Sequence, residues 1–225
     1  MPSLRVLITE QIMRYIRLAG ALLVGSLAAC APPKAAAPPP PPPAAPPAQT
    51  FAPPGLTAEQ QVALALLPLP KAFRAEASVL GRDADGKVVT LRQGTGHMIC
   101  IMSDLKADGF HPACYQDGME PFMARGRALR GEGVKNVDSA RFAEVKAGKL
   151  KVPTQAATLW AMDGPWTGVD AAAGTVTDAV KLRYSVYMPF ATAASTGLPD
   201  QPIANGPWLM DAGTPKAHLM FTMTM

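Results

Sequence analysis

The 225-residue sequence has few charged residues, few aromatic residues and no long apolar runs, and each shortage excludes a class of protein. A multispan membrane protein needs an apolar run of about 20 residues for each helix, and such runs are missing. Glycine shows no period of three, which excludes a collagen triple helix. Aromatic residues make up 6% of the chain and are not interleaved with basic residues, so the sequence contains no nucleic-acid-binding motif.

The sequence also lacks the short motifs of common catalytic and cofactor sites. It contains no G-x-S-x-G nucleophile elbow, no C-x-x-C pair and no zinc-ligand spacing. Gly94-Thr95-Gly96 is not a dinucleotide fingerprint, because no glycine follows at the required spacing and the next segment predicts a strand instead of a helix. We therefore predict no bound cofactor, and no reaction is evident from the sequence.

The first segment has the pattern of an export signal. Arg14 and Arg17 precede an apolar run over residues 18–29, which is too short to cross a hydrocarbon core of about 30 Å. A basic start, a short apolar stretch and small residues before a cut site are typical of a secretory signal. The ending Leu27-Ala28-Ala29-Cys30 resembles the lipobox of bacterial lipoproteins. That resemblance implies that residues 1–29 are cleaved off and that Cys30 is lipidated.

Two details refine this prediction. Met13 would begin a signal of more typical length, so we expect that translation can start there. Ala31 follows the cysteine, and bacterial lipoproteins without aspartate at this place usually go to the outer membrane. The resemblance therefore implies a lipid-anchored protein of the cell envelope, on the outer membrane and facing the periplasm. The alternative is an ordinary signal peptide with a chance cysteine.

A proline-rich linker follows over residues 30–55. Twelve of the 24 prolines lie between Pro32 and Pro54, and the run Pro38 to Pro43 is unbroken. Proline fixes φ and has no N–H, so we expect an extended polyproline II segment that reaches at most about 75 Å. The linker is interpreted as a spacer; the alternative is a ligand for an aromatic-lined groove.

Residues 56–225 form the predicted domain, and about 170 residues suffice for one core but not for two. Thr57 and Gln60 form a capping box that predicts a helix up to Pro68. Asp-Gly between β-rich runs predicts a hairpin of residues 77–80 with 87–91. Further strands are predicted at residues 97–102, 157–162, 180–188, 208–211 and 217–223. Further helices are predicted at residues 119–130, from Asp138 or Ser139 to near Gly148, and over a short Ala-Thr-Ala-Ala segment.

These strands do not alternate regularly with helices. We therefore predict a single α+β domain with a mainly antiparallel sheet and flanking helices. Once Cys30 is set aside, Cys100 and Cys114 remain, and an even remainder in an oxidising compartment favours a disulfide between them. Two separate thiols are the alternative.

Two segments carry a second resemblance. The first runs from Gly94-Thr95-Gly96 through Cys100 to Pro112-Ala113-Cys114-Tyr115, and the second is Gly213-Thr214-Pro215-Lys216-Ala217-His218-Leu219-Met220. With its flanks, the first segment extends to Asp117 and the second begins at Pro207, and both are similar to segments of a group of secreted bacterial proteins with a paired-cysteine signature and no assigned activity. His97 departs from that group, in which an aromatic residue often stands there. The resemblance implies a discrete secreted domain and supplies no reaction.

Three kinds of functional site are considered. His97, His111 and His218 are the histidine bases available for catalysis, and a small periplasmic hydrolase would use His218 with Asp163 or Asp211. The opposing interpretation is a structural histidine on a strand. His218 and Met220 on one strand face are weak candidate ligands for a soft metal such as copper. The opposing interpretation is that methionine fills the core.

The third candidate is a basic run. Residues 125–151 contain eight lysines and arginines against three acidic residues. Such a run is suited to contact with anionic lipid or cell-wall polymer, or it forms a solvated helix face. Our leading hypothesis is a non-enzymatic envelope lipoprotein whose tethered domain binds a ligand, an envelope protein or a cell-wall partner, with no role for nucleic acid. The hydrolase is the alternative, and copper binding is a minor one.

Overall fold

The computed structural model describes residues 55–204 and 206–221. The signal sequence, Cys30 and almost all of the linker therefore lie outside the described residues, as do Met223 and Met225. Five helices are present in the described part: α1 (Ala58–Ala65), α2 (Lys71–Arg74), α3 (Glu120–Gly131), α4 (Val137–Lys146) and α5 (Ala193–Thr196).

The strands are short. They are β1 (Ser78–Arg82), β2 (Val88–Arg92), β3 (Met98–Ile101), β4 (Ala113–Gln116), β5 (Ala157–Asp163), β6 (Val169–Asp170), β7 (Thr175–Val176), β8 (Lys181–Tyr187), β9 (Pro207–Met210) and β10 (His218–Phe221). Eight of them form one sheet in the order β2-β1-β3-β4-β5-β8-β10-β9, and β6 pairs with β7 alone. All pairs in the large sheet are antiparallel except β1 with β3. The predicted α+β class with a mainly antiparallel sheet is confirmed.

Local sequence signals explain several of these elements. The Thr57 hydroxyl accepts a hydrogen bond from the Gln60 backbone N–H, and the Gln60 side chain accepts one from the Thr57 N–H, which completes the predicted capping box. Gly86, with φ of +84°, closes the turn between β1 and β2. That positive φ favours glycine, which is why the Asp-Gly signal located the hairpin correctly.

Side-chain alternation divides the core between the two faces of the sheet. Met98 and Cys100 on β3 pack with α1 on one face, whereas Ile99 and Ile101 pack on the other face. The first face holds Leu64, Leu69, Val79, Met102, Phe110 and Cys114, all essentially without exposure. The second face holds Tyr115, Met119, Leu159 and Tyr187. The predicted alternation along β3 is confirmed.

The disulfide joins Cys100 to Cys114 across neighbouring strands. The two residues are directly opposite in the β3–β4 ladder, with a Cα–Cα distance of 3.9 Å. Both are fully buried on the face that α1 covers. The predicted pairing is therefore present in the structure.

The sequence interpretation missed α2, β4, β6 and β7, and it placed one helix cap wrongly. We predicted no strand at residues 113–116, where β4 lies, because this run is only four residues long and is preceded by proline. We assigned the cap of α4 to Asp138 or Ser139, but Asn136 caps the helix by accepting a hydrogen bond from the Ser139 N–H. Helix caps within three residues of one another are not separable by residue type alone. Across residues 55–204 and 206–221, no helix is both long and apolar enough to cross a membrane.

Candidate functional site

The basic run folds into α3 and α4, and its three acidic residues are bound internally. Arg125 forms ion pairs with Glu132 at 2.9 Å and with Glu144 at 2.8 Å. The pair with Glu144 joins α3 to α4, whereas Glu132 lies at the end of α3 itself. The hydrogen bond from Arg125 and its charge lower the pKa of the Glu144 carboxyl.

Arg127 is bound on the other side of α3. Its guanidinium pairs with Glu120 and donates a hydrogen bond to the Tyr115 hydroxyl at 2.8 Å. The Tyr115 hydroxyl in turn donates to Glu120 at 2.7 Å. Burial raises the pKa of Tyr115, so this hydroxyl stays protonated near neutral pH. The cations of the run that have no carboxylate within 4 Å among the described residues are Arg130, Lys135, Lys146, Lys149 and Lys151.

Arg130 and Lys135 line a polar hollow of about 440 Å³ beside the start of α4, which we call the α4 hollow. Its remaining wall comes from α3, α4, the end of β8 and the loop before β10. The lining residues are Met123, Arg130, Lys135, Asn136, Val137, Asp138, Arg141, Tyr187 and Lys216. Four of them are cationic and one is a carboxylate, so cations outnumber carboxylates in the lining even though Lys216 also lies 3.5 Å from Asp211.

Arg141 is the most buried charge in this hollow, with 6% of the residue exposed. Its guanidinium lies 3.9 Å from the centre of the Phe122 ring and donates from Nη1 to the Phe122 carbonyl at 3.2 Å. Gly126 makes room for it, because a Cβ at that position would lie 2.9 Å from Nη1. Nη2 pairs with Asp138, whereas Nε has no hydrogen-bond partner in the described part of the chain. A buried donor without a partner is rare, and because this Nε is enclosed by protein, Arg141 acts on the hollow through its charge.

Asp138 connects this arginine to the C-terminal segment. Its carboxylate binds Arg141 through Oδ1 and accepts a hydrogen bond from Lys216 Nζ at 2.9 Å through Oδ2. Partial burial acts to raise the pKa of Asp138, but the bonds from Arg141 and Lys216 lower it overall. Lys216 is also 3.5 Å from Asp211, and although burial opposes its charge, Asp138 and Asp211 raise its pKa. Both groups therefore stay ionised near neutral pH.

Arg130 differs from its neighbours because its guanidinium has no hydrogen bond or ion pair among the residues that are described. Burial, Arg141 and Arg127 all lower its pKa, and only the more distant Asp138 acts to raise it. Positive charges are thus concentrated here without enough acidic partners. The start of α4 also places the positive end of the helix dipole beside the hollow, although the Ser139 N–H is already bonded to Asn136. An oxyanion is the ligand that this arrangement suits best.

His218 lies next to this hollow and is buried, with 6% exposure. Its ring stacks on Tyr187 with centroids 4.9 Å apart, and its Nδ1 donates to the Lys216 carbonyl at 2.7 Å. Burial lowers the pKa of the imidazole. Asp211 lies next to Lys216, and Asp163 pairs with Arg183 and His111. Neither carboxylate is hydrogen-bonded to His218 in the described structure.

The other two histidines form exposed pairs. His97 Nδ1 is 2.9 Å from Asp117, and His111 Nδ1 is 3.0 Å from Asp163, which also binds Arg183. No hydroxyl or thiol is hydrogen-bonded to any of the three imidazoles within residues 55–204 and 206–221. The described residues therefore contain no nucleophile coupled to a histidine base.

Both candidate metal ligands lie in the described part of the chain. His218 and Met220 are two residues apart on β10, but the Nδ1 of His218 already donates to a carbonyl. No group of three or more His, Cys, Asp or Glu side chains in the described part is placed to hold a metal ion. Copper binding by His218 and Met220 stays a prediction, as does lipidation of Cys30.

Sequence reasoning found the basic run and singled out the segment around Lys216, but it did not bring them together. Lys216 and Asp138 are 78 residues apart in the chain and meet only because β10 pairs with β8 beside the helices. Tyr187, which lines the hollow, carried no separate signal in the sequence. No protein family, curated protein or solved structure matches the chain. A functional assignment therefore depends on the geometry of the α4 hollow.

Proposed function

We propose that the protein is a cell-envelope lipoprotein whose domain binds an anionic ligand or partner and is not an enzyme. Acylation at Cys30 would anchor it in the outer membrane on the periplasmic side, and residues 30–55 would act as the spacer. The Leu-Ala-Ala-Cys ending and the concentration of proline in residues 32–54 support this part of the proposal.

The α4 hollow is the observation that carries the binding function. Arg130, Lys135, Arg141 and Lys216 surround it, and Asp138 is the single opposing carboxylate. The side chains of Arg130 and Lys135 have no ion pair among the described residues and so have unused capacity to donate hydrogen bonds. Charge-assisted bonds of this type to carboxylate or phosphate oxygens are among the stronger polar interactions in proteins.

The non-enzymatic part of the proposal is supported by the histidines. His218 is buried against Tyr187 and bonded to a backbone carbonyl, as expected for a structural residue. His97 and His111 are each paired with a carboxylate, and neither is hydrogen-bonded to a hydroxyl or thiol in the described structure. A hydrolase using His218 would need to open this packing to reach substrate.

Binding is tested by calorimetric titration of the full-length protein, in an uncharged detergent at low salt, with inorganic phosphate. We expect saturable binding that weakens at least about tenfold in an Arg130→Gln/Lys216→Gln variant. Lys146→Gln/Lys149→Gln is the matched control, because it removes the same charge from the basic run outside the hollow. Absence of saturable binding, or equal loss in both variants, would refute the α4 hollow as the site.

Anchoring and partnership are tested in cells. We expect metabolic labelling with an alkyne fatty acid to modify the wild-type chain and not a Cys30→Ala variant. Crosslinking in intact cells should capture an envelope partner for the wild type, and less of it for Cys30→Ala. Equal fatty-acid labelling of both chains would show that Cys30 is not the anchor.

A further inference from the structure

A second positive hollow lies next to the first, between the β1–β2 hairpin and α3. We call it the β1 hollow; its volume is about 730 Å³. Arg82, Lys87, Arg127 and Arg130 contribute cations to its wall, against the carboxylates of Asp85 and Asp104. It is therefore less positive than the α4 hollow, although it also has an excess of cationic side chains.

Arg82 shares one feature with Arg141, although the residue as a whole is only partly buried. Its Nη1 donates to the Gly86 carbonyl at 3.2 Å, while its buried Nε has no hydrogen-bond partner in the described residues. Burial lowers the pKa of Arg82, Asp104 acts against this, and the charges of Arg127 and Arg130 lower it further. Each hollow thus contains one arginine with a buried, unsatisfied donor, and these two are the only such side-chain atoms in residues 55–204 and 206–221.

Arg130 lines both hollows. On a helix with 3.6 residues per turn, Met123 and Arg130 share one face of α3, and Arg127 and Gly131 lie on the adjacent face. The α4 hollow is lined from the first face and the β1 hollow from the second. Arg130 is at the border between them and is free of competing carboxylates within 4 Å in the described structure. A ligand that enters both hollows would pass over this side chain.

We infer that the natural ligand is a linear polyanion, with phosphate or carboxylate groups along its chain, that lies across α3 and places one anionic group in each hollow. The inference rests on the proposed function, since the α4 hollow is one of its two sites. A flat bilayer surface fits the geometry less well, because Arg141 is only 6% exposed inside a concave site. Two linked anionic groups would bind with a higher effective concentration than one.

The test compares inorganic phosphate with linear polyphosphate chains of increasing length, using the full-length protein in uncharged detergent. We expect affinity per molecule to rise by at least about tenfold from phosphate to the longer chains. The salt dependence should also steepen, because more counterions are released as more charges are engaged. Polygalacturonate is tested in parallel, and it distinguishes a carboxylate polymer from a phosphate polymer as the preferred source of charge.

Variants identify the contribution of each hollow. Lys87→Gln should weaken polyphosphate binding and leave phosphate binding unchanged, because Lys87 lines only the β1 hollow and is exposed. Lys135→Gln should weaken both, and Arg130→Gln should have the largest effect on the polymer. Lys146→Gln is the matched control for the single lysine variants, and circular dichroism melts check that every variant is folded.

Each outcome distinguishes this inference from the proposed function. If phosphate binds but affinity does not grow with chain length, or Lys87→Gln has no effect on the polymer, the two-hollow polyanion is overturned and anion binding at α4 stands. If neither phosphate nor polymer binds, both proposals fail. If the Cys30→Ala protein binds phosphatidylglycerol vesicles but not phosphatidylcholine vesicles, and polyphosphate does not compete, a membrane surface replaces the polymer as ligand.

Discussion

The two faces of the sheet are built from different chemistry. The face under α1 contains apolar side chains and the disulfide, with Leu64, Cys100 and Cys114 fully buried. The opposite face contains polar and charged side chains as well. There Arg127 donates a hydrogen bond to the Tyr115 hydroxyl, and His218 stacks on Tyr187. Arg141 lies nearby, and its Nε has no hydrogen-bond partner among the described residues. The first face is expected to supply most of the stability. On the second face, polar and charged side chains stand in place of part of the apolar packing, and the cation-lined α4 hollow lies there.

The largest loss of stability is expected from a cavity on the sheet face that α1 covers. Leu64→Ala should lower the free energy of unfolding by about 2–5 kcal/mol, because Leu64 has no exposed area and its removal leaves a void. Denaturant unfolding followed by circular dichroism measures this. Leu182→Ala, at a position 49% exposed on β8, is the matched control and should cost less than about 1 kcal/mol. Equal costs at the two positions would contradict the division between the faces.

The disulfide should contribute about 3 kcal/mol on the same face, since it closes a loop with a sequence separation of 14 residues. The double variant Cys100→Ala/Cys114→Ala removes it without leaving a free thiol. Its unfolding midpoint should fall, while phosphate binding by the folded protein should persist, because neither cysteine lines the α4 hollow. Loss of binding in the folded variant would show that the two faces are coupled.

A smaller, pH-dependent effect is expected on the opposite face. Burial lowers the pKa of His218 in the folded state, so the unfolded state binds a proton more readily. The stability that neutral His218 provides is present above the unfolded pKa of about 6.5 and is lost as pH falls, with a slope of at most about 1.4 kcal/mol per pH unit. Denaturant unfolding is measured at pH 7.5 and at pH 5.5. Between these two values the free energy of unfolding should decrease less for His218→Gln than for wild type. An identical decrease would mean that His218 titrates normally.

The smallest effect on stability should come from Arg141→Met. Asp138 keeps its bond to Lys216, so removal of Arg141 leaves no isolated carboxylate, and the unfolding free energy should change by no more than about 1 kcal/mol. Phosphate affinity should nevertheless fall at least about tenfold. Unfolding and phosphate titration together separate a role in binding from a role in stability. A decrease of several kcal/mol in the free energy of unfolding would show that Arg141 is mainly a structural residue.

The same contrast explains which features were predictable from the sequence. Thr57 and Gln60 lie three residues apart, and the alternation along β3 needs only neighbouring residues, so local patterns were sufficient. The disulfide followed from cysteine number and the expected compartment. The strand β4 was missed because four residues provide too short a pattern. The α4 hollow could not be predicted, since Lys216 reaches Asp138 only through the pairing of strands distant in sequence.

Asp138 would affect the kinetics of the proposed anion binding at the α4 hollow. Its carboxylate already lies between Arg141 and Lys216, so both cations are held in place before any ligand arrives. A ligand oxyanion must approach this resident negative charge, and the repulsion shortens the time for which it stays bound, although little rearrangement slows its arrival. For the proposed anion ligand, Asp138 thus occupies part of the place that the ligand would take, and we expect rapid binding and release at this site.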